Sequence, residues 1–207
     1  MPARRFYDEL WEHVPPGLEP SWFELRRRFL LERVAAGERV LDLGCGEGAF
    51  AAALHGAGAS VVAADIAEEP LRRARERHPG PDYWLLLEET EWGLKDAEFD
   101  VVWAGEVIEH VADTAGWMSE LRRVLRSGGR LLLSTPSLGV PQLLAAACSR
   151  AVFAARFEPR SDHLHHYSRA TLRALISEFG FDELEVGRAG GRVVRPFLLA
   201  SAMRSRF

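Results

Sequence analysis

Residues 39–50 read RVLDLGCGEGAF, from Arg39 to Phe50. Val40, Leu41 and Leu43 make a short apolar run of the kind that fills a buried parallel strand. Three glycines follow, Gly44, Gly46 and Gly48, and from Ala49 to Leu54 the spacing becomes helical. The stretch is therefore a strand, a tight turn and a helix. Glycine suits such a turn because the backbone must take angles closed to other residues. A side chain there would also hold a ligand away from the main-chain N–H groups. Cys45 lies inside the turn; its backbone belongs to the ligand loop and its thiol reads as structural.

Two acids frame this turn. Asp42 precedes the first glycine by two positions, and Asp65 closes the next apolar run, SVVAAD, followed by Ile66. A carboxylate at the end of the second strand is placed to accept both hydroxyl hydrogens of a ribose, so the ligand should carry an unphosphorylated ribose. Gly44, Gly46 and Ala49 also satisfy the G-x-G-x-x-G/A dinucleotide pattern, which by itself is a weak signal.

Four stretches in order, VLDLGCGEG, VVAADI, FDVVWAGEVIEHV and LRRVLRSGGRLLLSTPS, resemble the motif series of class I S-adenosylmethionine-dependent methyltransferases. The resemblance spans about residues 39–137, with a weaker tail beyond. EVIEHV and the later DHLHHYSRATLRALISEFGF make the chain most similar to the branch that holds ubiquinone and menaquinone biosynthesis methyltransferases. The resemblance implies S-adenosyl-L-methionine as cofactor, held by Asp42, Gly44, Cys45, Gly46, Asp65, Ile66, Gly105 and Glu106. It also implies an acid near the adenine amino group, carried onto Glu88. Three acids compete in that loop, Glu88, Glu89 and Glu91, and a merely solvated acidic loop explains them equally.

Length and composition fit this reading. The 207 residues are 47% hydrophobic, enough for one well-packed domain. A single unit over 1–207 is expected, with an N-terminal helical extension over 1–37 and a helical lid over 138–166. Net charge is −4 and the pI about 6.0, so no basic field draws in nucleic acid. Cys45 and Cys148 are too few for a disulfide framework or a zinc ribbon. The N-terminus is charged where a signal peptide needs an apolar core, and no run reaches membrane-span length. A soluble, cytoplasmic protein is expected.

The rest of the chain alternates strand and helix. Helices are expected over 4–14, 22–35, 47–56, 67–77 and 114–126, and strands over 59–64, 82–87, 99–104 and 130–134. This order predicts an α/β, Rossmann-like doubly wound sheet with helices on both faces. The resemblance adds a last antiparallel hairpin, 183–187 with 193–201, to give seven strands. Tyr7 and Trp11 in the first helix either touch a ligand or only anchor that helix. Between Pro136 and Tyr167 a run rich in Ala, Leu and Phe reads as one or two short helices over 143–157. As a substrate cover it suits a lipophilic acceptor or a peripheral membrane contact; helix packing or a homodimer contact explains the same residues.

Because the sulfonium is already activated, a methyltransferase must chiefly align the acceptor and take up its proton. The candidates for that work are Glu106, His110, His163 and His166. Glu106, Glu109 and His110 form E-x-x-E-H, and a continuing helical turn would bring them to one face. With His163 from the run Asp162-His163-Leu164-His165-His166 they form a candidate divalent-cation site. The resemblance supports this, since such a cluster holds metal in some ubiquinone O-methyltransferases and small-RNA 3′-end methyltransferases. Other relatives carry EVIEHV without metal, and Tyr167 and Ser168 could equally mark a helix cap.

The leading expectation is transfer of a methyl group to oxygen or carbon of a small molecule, such as a quinone precursor or another phenolic compound. The alternatives are an RNA 3′-end-type metal-dependent methyltransferase, which the acidic charge disfavours, and an NAD-dependent oxidoreductase, in which EVIEHV has no role. A non-catalytic S-adenosylmethionine-binding module is the third.

Overall fold

A computed structural model of the protein describes residues 3–158, 161–191 and 196–206. Two helices, α1 (Ala3–His13) and α2 (Phe23–Leu31), precede β1 (Arg39–Leu43), α3 (Ala49–Gly56), β2 (Ser60–Asp65), α4 (Glu68–Arg77) and β3 (Asp82–Leu85). β4 (Phe99–Gly105), α5 (Thr114–Val124) and β5 (Leu125–Pro136) follow. The chain then runs through α6 (Val140–Cys148), α7 (Arg150–Arg156), α8 (Arg169–Glu178), β6 (Phe181–Ala189) and β7 (Phe197–Arg204).

Period-two burial along the central strands produces the layers. Val40, Val61, Ala63, Val101, Trp103 and Leu132 pack on one face with Leu30 of α2, Phe50 and Leu54 of α3 and Leu71 of α4. Their neighbours Leu41, Leu43, Val62, Val102, Leu131 and Leu133 pack on the other with Trp117, Met118 and Leu121 of α5 and Leu172 and Ile176 of α8. Each fully buried side chain of this size contributes about 1.5–3 kcal/mol.

The seven strands lie in the order β3-β2-β1-β4-β5-β7-β6. Leu41 of β1 lies in register with Val62 of β2 and with Val102 of β4, both pairings parallel. β7 runs antiparallel to both β5 and β6. The sheet reverses its winding between β1 and β4, where ligands of such folds bind beyond the strand ends.

Several boundaries differ from the sequence reading. The fifth helix stops at Val124, because Leu125 turns extended (φ −72°, ψ 137°) and pairs with Phe99. β5 therefore begins there and spans the Ser127-Gly128-Gly129 segment expected as a break. The first crossover helix begins at Ala49 and not Glu47, because Gly48 is left-handed (φ 79°). The final hairpin is longer at its Phe181 and Arg204 ends, and Val193 lies outside the described residues. Among the described residues no helix is long and apolar enough to cross a membrane.

Candidate active site

β2, β1 and β4 end side by side at Asp65, Leu43 and Gly105, and the turn 44–48 rises from the middle strand. Gly44 and Gly46 are both left-handed, with φ 70° and 52°. A side chain on Gly44 would collide with Val107, and one on Gly46 would come within 3.2 Å of the Trp11 ring. The amides of Gly44 and Cys45 both donate to the Ala64 carbonyl, at 2.8 and 3.0 Å. The Gly46 amide donates to Asp65 Oδ2 at 2.9 Å. These three donors thus bind the end of β2, and a ligand meets bare main chain rather than a cradle of open N–H groups. The Cys45 thiol is buried and held well above its ordinary value by desolvation.

A cavity of about 260 Å³ lies over this turn, and Gly44, Gly46, Asp65, Ile66, Glu106 and His110 of the expected site line it. Asp65 is 8% exposed. Burial raises its carboxyl, against the amides of Ala67, Gly46 and Ile66 that stabilise its charge. Each oxygen keeps acceptor capacity beyond those bonds.

Asp42 differs. Strand alternation turns it away from the cavity toward α3, where the Ala51 amide bonds its carboxylate. Its Oδ2 has no hydrogen-bond partner among the described residues, and desolvation pushes its pKa up to about 7. The acid that reaches the cavity from the loop after β3 is Glu89, which also accepts from the Ala112 amide at 3.2 Å; Glu88 is exposed. Gly105 does not line the cavity either: a Cβ there would strike the Arg26 guanidinium and the Trp103 ring.

The E-x-x-E-H segment is not a helix. Glu106 is left-handed (φ 63°), its amide donates to the Ser134 carbonyl, and only one turn closes, from His110 N–H to the Val107 carbonyl. Glu106 therefore points to Ser134 Oγ, 3.0 Å from its Oε1, while Glu109 Oε2 accepts from Thr135 Oγ1 at 2.9 Å. The histidine run docks on this turn, because the Leu164 and His165 amides donate to the Glu109 carbonyl at 2.8 and 3.0 Å.

Glu109, His110 and His163 consequently offer ligand atoms all within 4.8 Å of one another. Glu106 and His166 of the expected chemistry do not join them. The His166 ring packs on Phe157 with centroids 5.8 Å apart. Glu109 Oε1 is buried without a hydrogen-bond partner among the described residues, 3.9 Å from His110 Nε2. Burial and the Glu106 charge push its carboxyl up to about 7. His110 Nδ1 faces the Asp162 carbonyl at 3.1 Å and Asp162 Oδ2 at 3.2 Å. Burial works against its charge, yet Asp162 and Glu109 outweigh that and hold the imidazole above its ordinary value.

The far wall comes from α1. Tyr7, Leu10 and Trp11 of this helix and Val14 just after it line the cavity, whereas among the described residues of 138–166 only Asp162 does. The exposed apolar residues of α6 and α7, including Leu144 and Phe153, lie away from the cavity. Burial and the Asp162 and Glu89 charges raise the Tyr7 phenol far above its ordinary value.

Residue type alone does not separate Arg26 from the other arginines of α2. It is 2% exposed, donates to the Ser21 carbonyl at 3.2 Å, and stacks 4.8 Å from the Phe50 ring centroid. Burial lowers its pKa while Glu106, Glu109 and Asp42 oppose that shift. Its helical phase with Leu30 was the available signal.

A family model described as a methyltransferase domain matches residues 10–186. The ubiquinone biosynthesis O-methyltransferase of Thiobacillus denitrificans is 35% identical over 169 residues, 78% of this chain and 72% of that protein. Among solved structures, a methyltransferase-like protein from Bacillus halodurans superposes with a TM-score of 0.69 at 21% identity, covering 88% of this chain and 99% of that one. Phosphoethanolamine N-methyltransferase 2 of Haemonchus contortus, in complex with S-adenosyl-L-methionine, gives a TM-score of 0.70 at 16% identity, covering 96% and 56%. At such identities these two structures speak for the fold alone.

Proposed function

The chain belongs to the methyltransferase-domain family and is an S-adenosylmethionine-dependent methyltransferase; from that premise we propose that it methylates a hydroxyl oxygen of a small, lipophilic phenolic acceptor. The carrying observation is the meeting of Glu109, His110 and His163 beside a cavity walled by Tyr7, Trp11, Trp92 and Trp117. Aromatic walls suit a flat, apolar acceptor, and a compact group of carboxylate and imidazole suits its hydroxyls. The O-methyltransferase name of the Thiobacillus denitrificans relative supports oxygen as the target.

In this reading Asp65 accepts the ribose hydroxyls, Gly44 and Gly46 let the cofactor lie against the turn, and Ile66 packs beside the nucleoside. Glu89 is the acid placed for the adenine amino group. The tryptophans exclude water from the transfer, and the acceptor oxygen must sit about 3 Å from the methyl for in-line attack.

Glu109, His110 and His163 are the residues that would hold a divalent cation. Glu109 Oε1, buried and without a hydrogen-bond partner among the described residues, fits that role, and mixed oxygen and nitrogen donors suit a transition metal. Such an ion supplies a lowered hydroxyl pKa when bound. Without it, the same geometry favours a second reading. Asp162 accepts a hydrogen bond from the His110 Nδ1–H, so Nε2 is left to accept the proton of the acceptor hydroxyl.

Labelled methyl transfer into catechols and quinols, with and without chelator, tests both. Chelator-sensitive transfer is the expected result, and chelator-indifferent transfer selects His110 as the base. No label on any phenolic oxygen would reject the acceptor class.

A further inference from the structure

α1 spans the cavity with partial apolar anchorage: Tyr7 and Trp11 face inward, while Phe6 and Leu10 are 42% and 40% exposed. A helix of eleven residues is marginal by itself in water, so something else must keep it in place. Among the described residues, polar bonds made by three side chains do. Asp8 accepts from the Glu68 amide at 2.7 Å, at the start of α4. Arg4 donates to the Leu86 carbonyl. Arg73 of α4 donates to the carbonyls of Trp11 and Val14, at 2.9 and 2.8 Å.

The Arg73 contact differs from the other two in how it is built. Its side chain is 10% exposed, and its Nε bonds Glu69 Oε1 at 2.7 Å. Nη1 also reaches Glu47 Oε1, at 3.1 Å. Glu47 belongs to the glycine turn, is 9% exposed, and takes the Gly17 amide at 2.7 Å and an Arg77 contact on its other oxygen. One guanidinium therefore joins the carbonyl end of the covering helix to the loop that the cofactor lies against. Charge-assisted bonds in a shielded setting are far stronger than exposed ion pairs, and a cation is favoured where helix carbonyls lack partners.

We infer that Arg73 is a positioning residue of the cofactor site: set by Glu47, it holds α1 closed over S-adenosylmethionine and governs how long the cofactor stays. The inference rests on the reading of this cavity as the cofactor site. Tyr7 and Trp11 reach the cavity only while α1 is seated, so loosening the latch opens the outer wall without disturbing the sheet.

Arg73→Met keeps the apolar stem and removes every donor. Amide exchange of residues 3–14, measured without ligand, should rise about tenfold while β1 and β4 keep their protection. The S-adenosylhomocysteine dissociation rate should rise about tenfold by stopped-flow fluorescence, with the KM for cofactor rising more than kcat falls. Arg73→Lys should restore part of both. Glu47→Gln, which keeps the turn's shape, should act in the same direction more weakly, and it decides the matter if Arg73→Met does not fold. Faster exchange in α1 with a dissociation rate within about twofold of the unaltered protein would overturn the inference. So would unchanged exchange in α1. If the unaltered protein binds no S-adenosylhomocysteine, the cofactor reading fails and takes the retention claim with it; a deficit confined to the variants bears on Arg73 alone.

Discussion

The Gly46 amide donates to Asp65 Oδ2 at 2.9 Å, and this bond ties the glycine turn to the end of β2. The carboxylate assigned to the ribose is thus also the group that shapes the loop. Asp65→Ala should weaken S-adenosylhomocysteine binding at least tenfold by calorimetry, about 1.4 kcal/mol or more. Unchanged affinity would remove Asp65 from the cofactor site.

The cation assignment makes a separate prediction. Elemental analysis of the purified protein should find a divalent ion, and Glu109→Gln should lower both metal content and turnover roughly tenfold or more. Retained turnover in that variant would leave Glu109 a buried structural carboxyl held by Thr135.

Gly44 is tested by stability. Gly44→Ala forces a side chain to φ 70° and against Val107, at about 1–2 kcal/mol for the backbone and about 1–3 kcal/mol for the overlap. Adding Val107→Ala should recover the overlap portion only, read from denaturant midpoints. Full recovery would mean that the backbone angle carries no strain.

Asp42 predicts a pH dependence. Its folded pKa of about 7 lies above its ordinary 3.8, so the folded protein holds this proton more tightly than the unfolded chain does. The corresponding stability is fully present below about pH 4 and is lost as pH rises toward and through about 7. Asp42→Asn should remove that slope, so the melting temperature of the variant should gain on the unaltered protein as pH rises from 4 to 8. A constant difference across that range would mean that the Ala51 amide keeps Asp42 ionised throughout.

The acids show how far residue types alone can be read. Asp65 ends its strand, so its place at the crevice follows from strand length. Asp42 lies within β1, where alternation sends it to α3. Glu88 and Glu89 are adjacent in an irregular loop, and Glu89 is the one tied inward, its carboxylate accepting from the Ala112 amide and its carbonyl from the Trp92 indole. Glu106 and Glu109 would share a face in a helix, but the left-handed Glu106 splits them between Ser134 and Thr135.

From sequence alone followed the alternation of strand and helix and the glycine turn between β1 and α3, because apolar periodicity and backbone permissiveness are local properties; the family and its cofactor followed from the resemblance of the ordered motif series. The tertiary structure decided which acids face the cavity, which histidine joins Glu109 and His110, and that α1 rather than 138–166 forms the wall. Those outcomes depend on bonds between residues far apart in the chain, such as Arg73 with Trp11 and Leu164 with Glu109. No local pattern encodes them, since each partner's direction is set by the packing of the element that carries it.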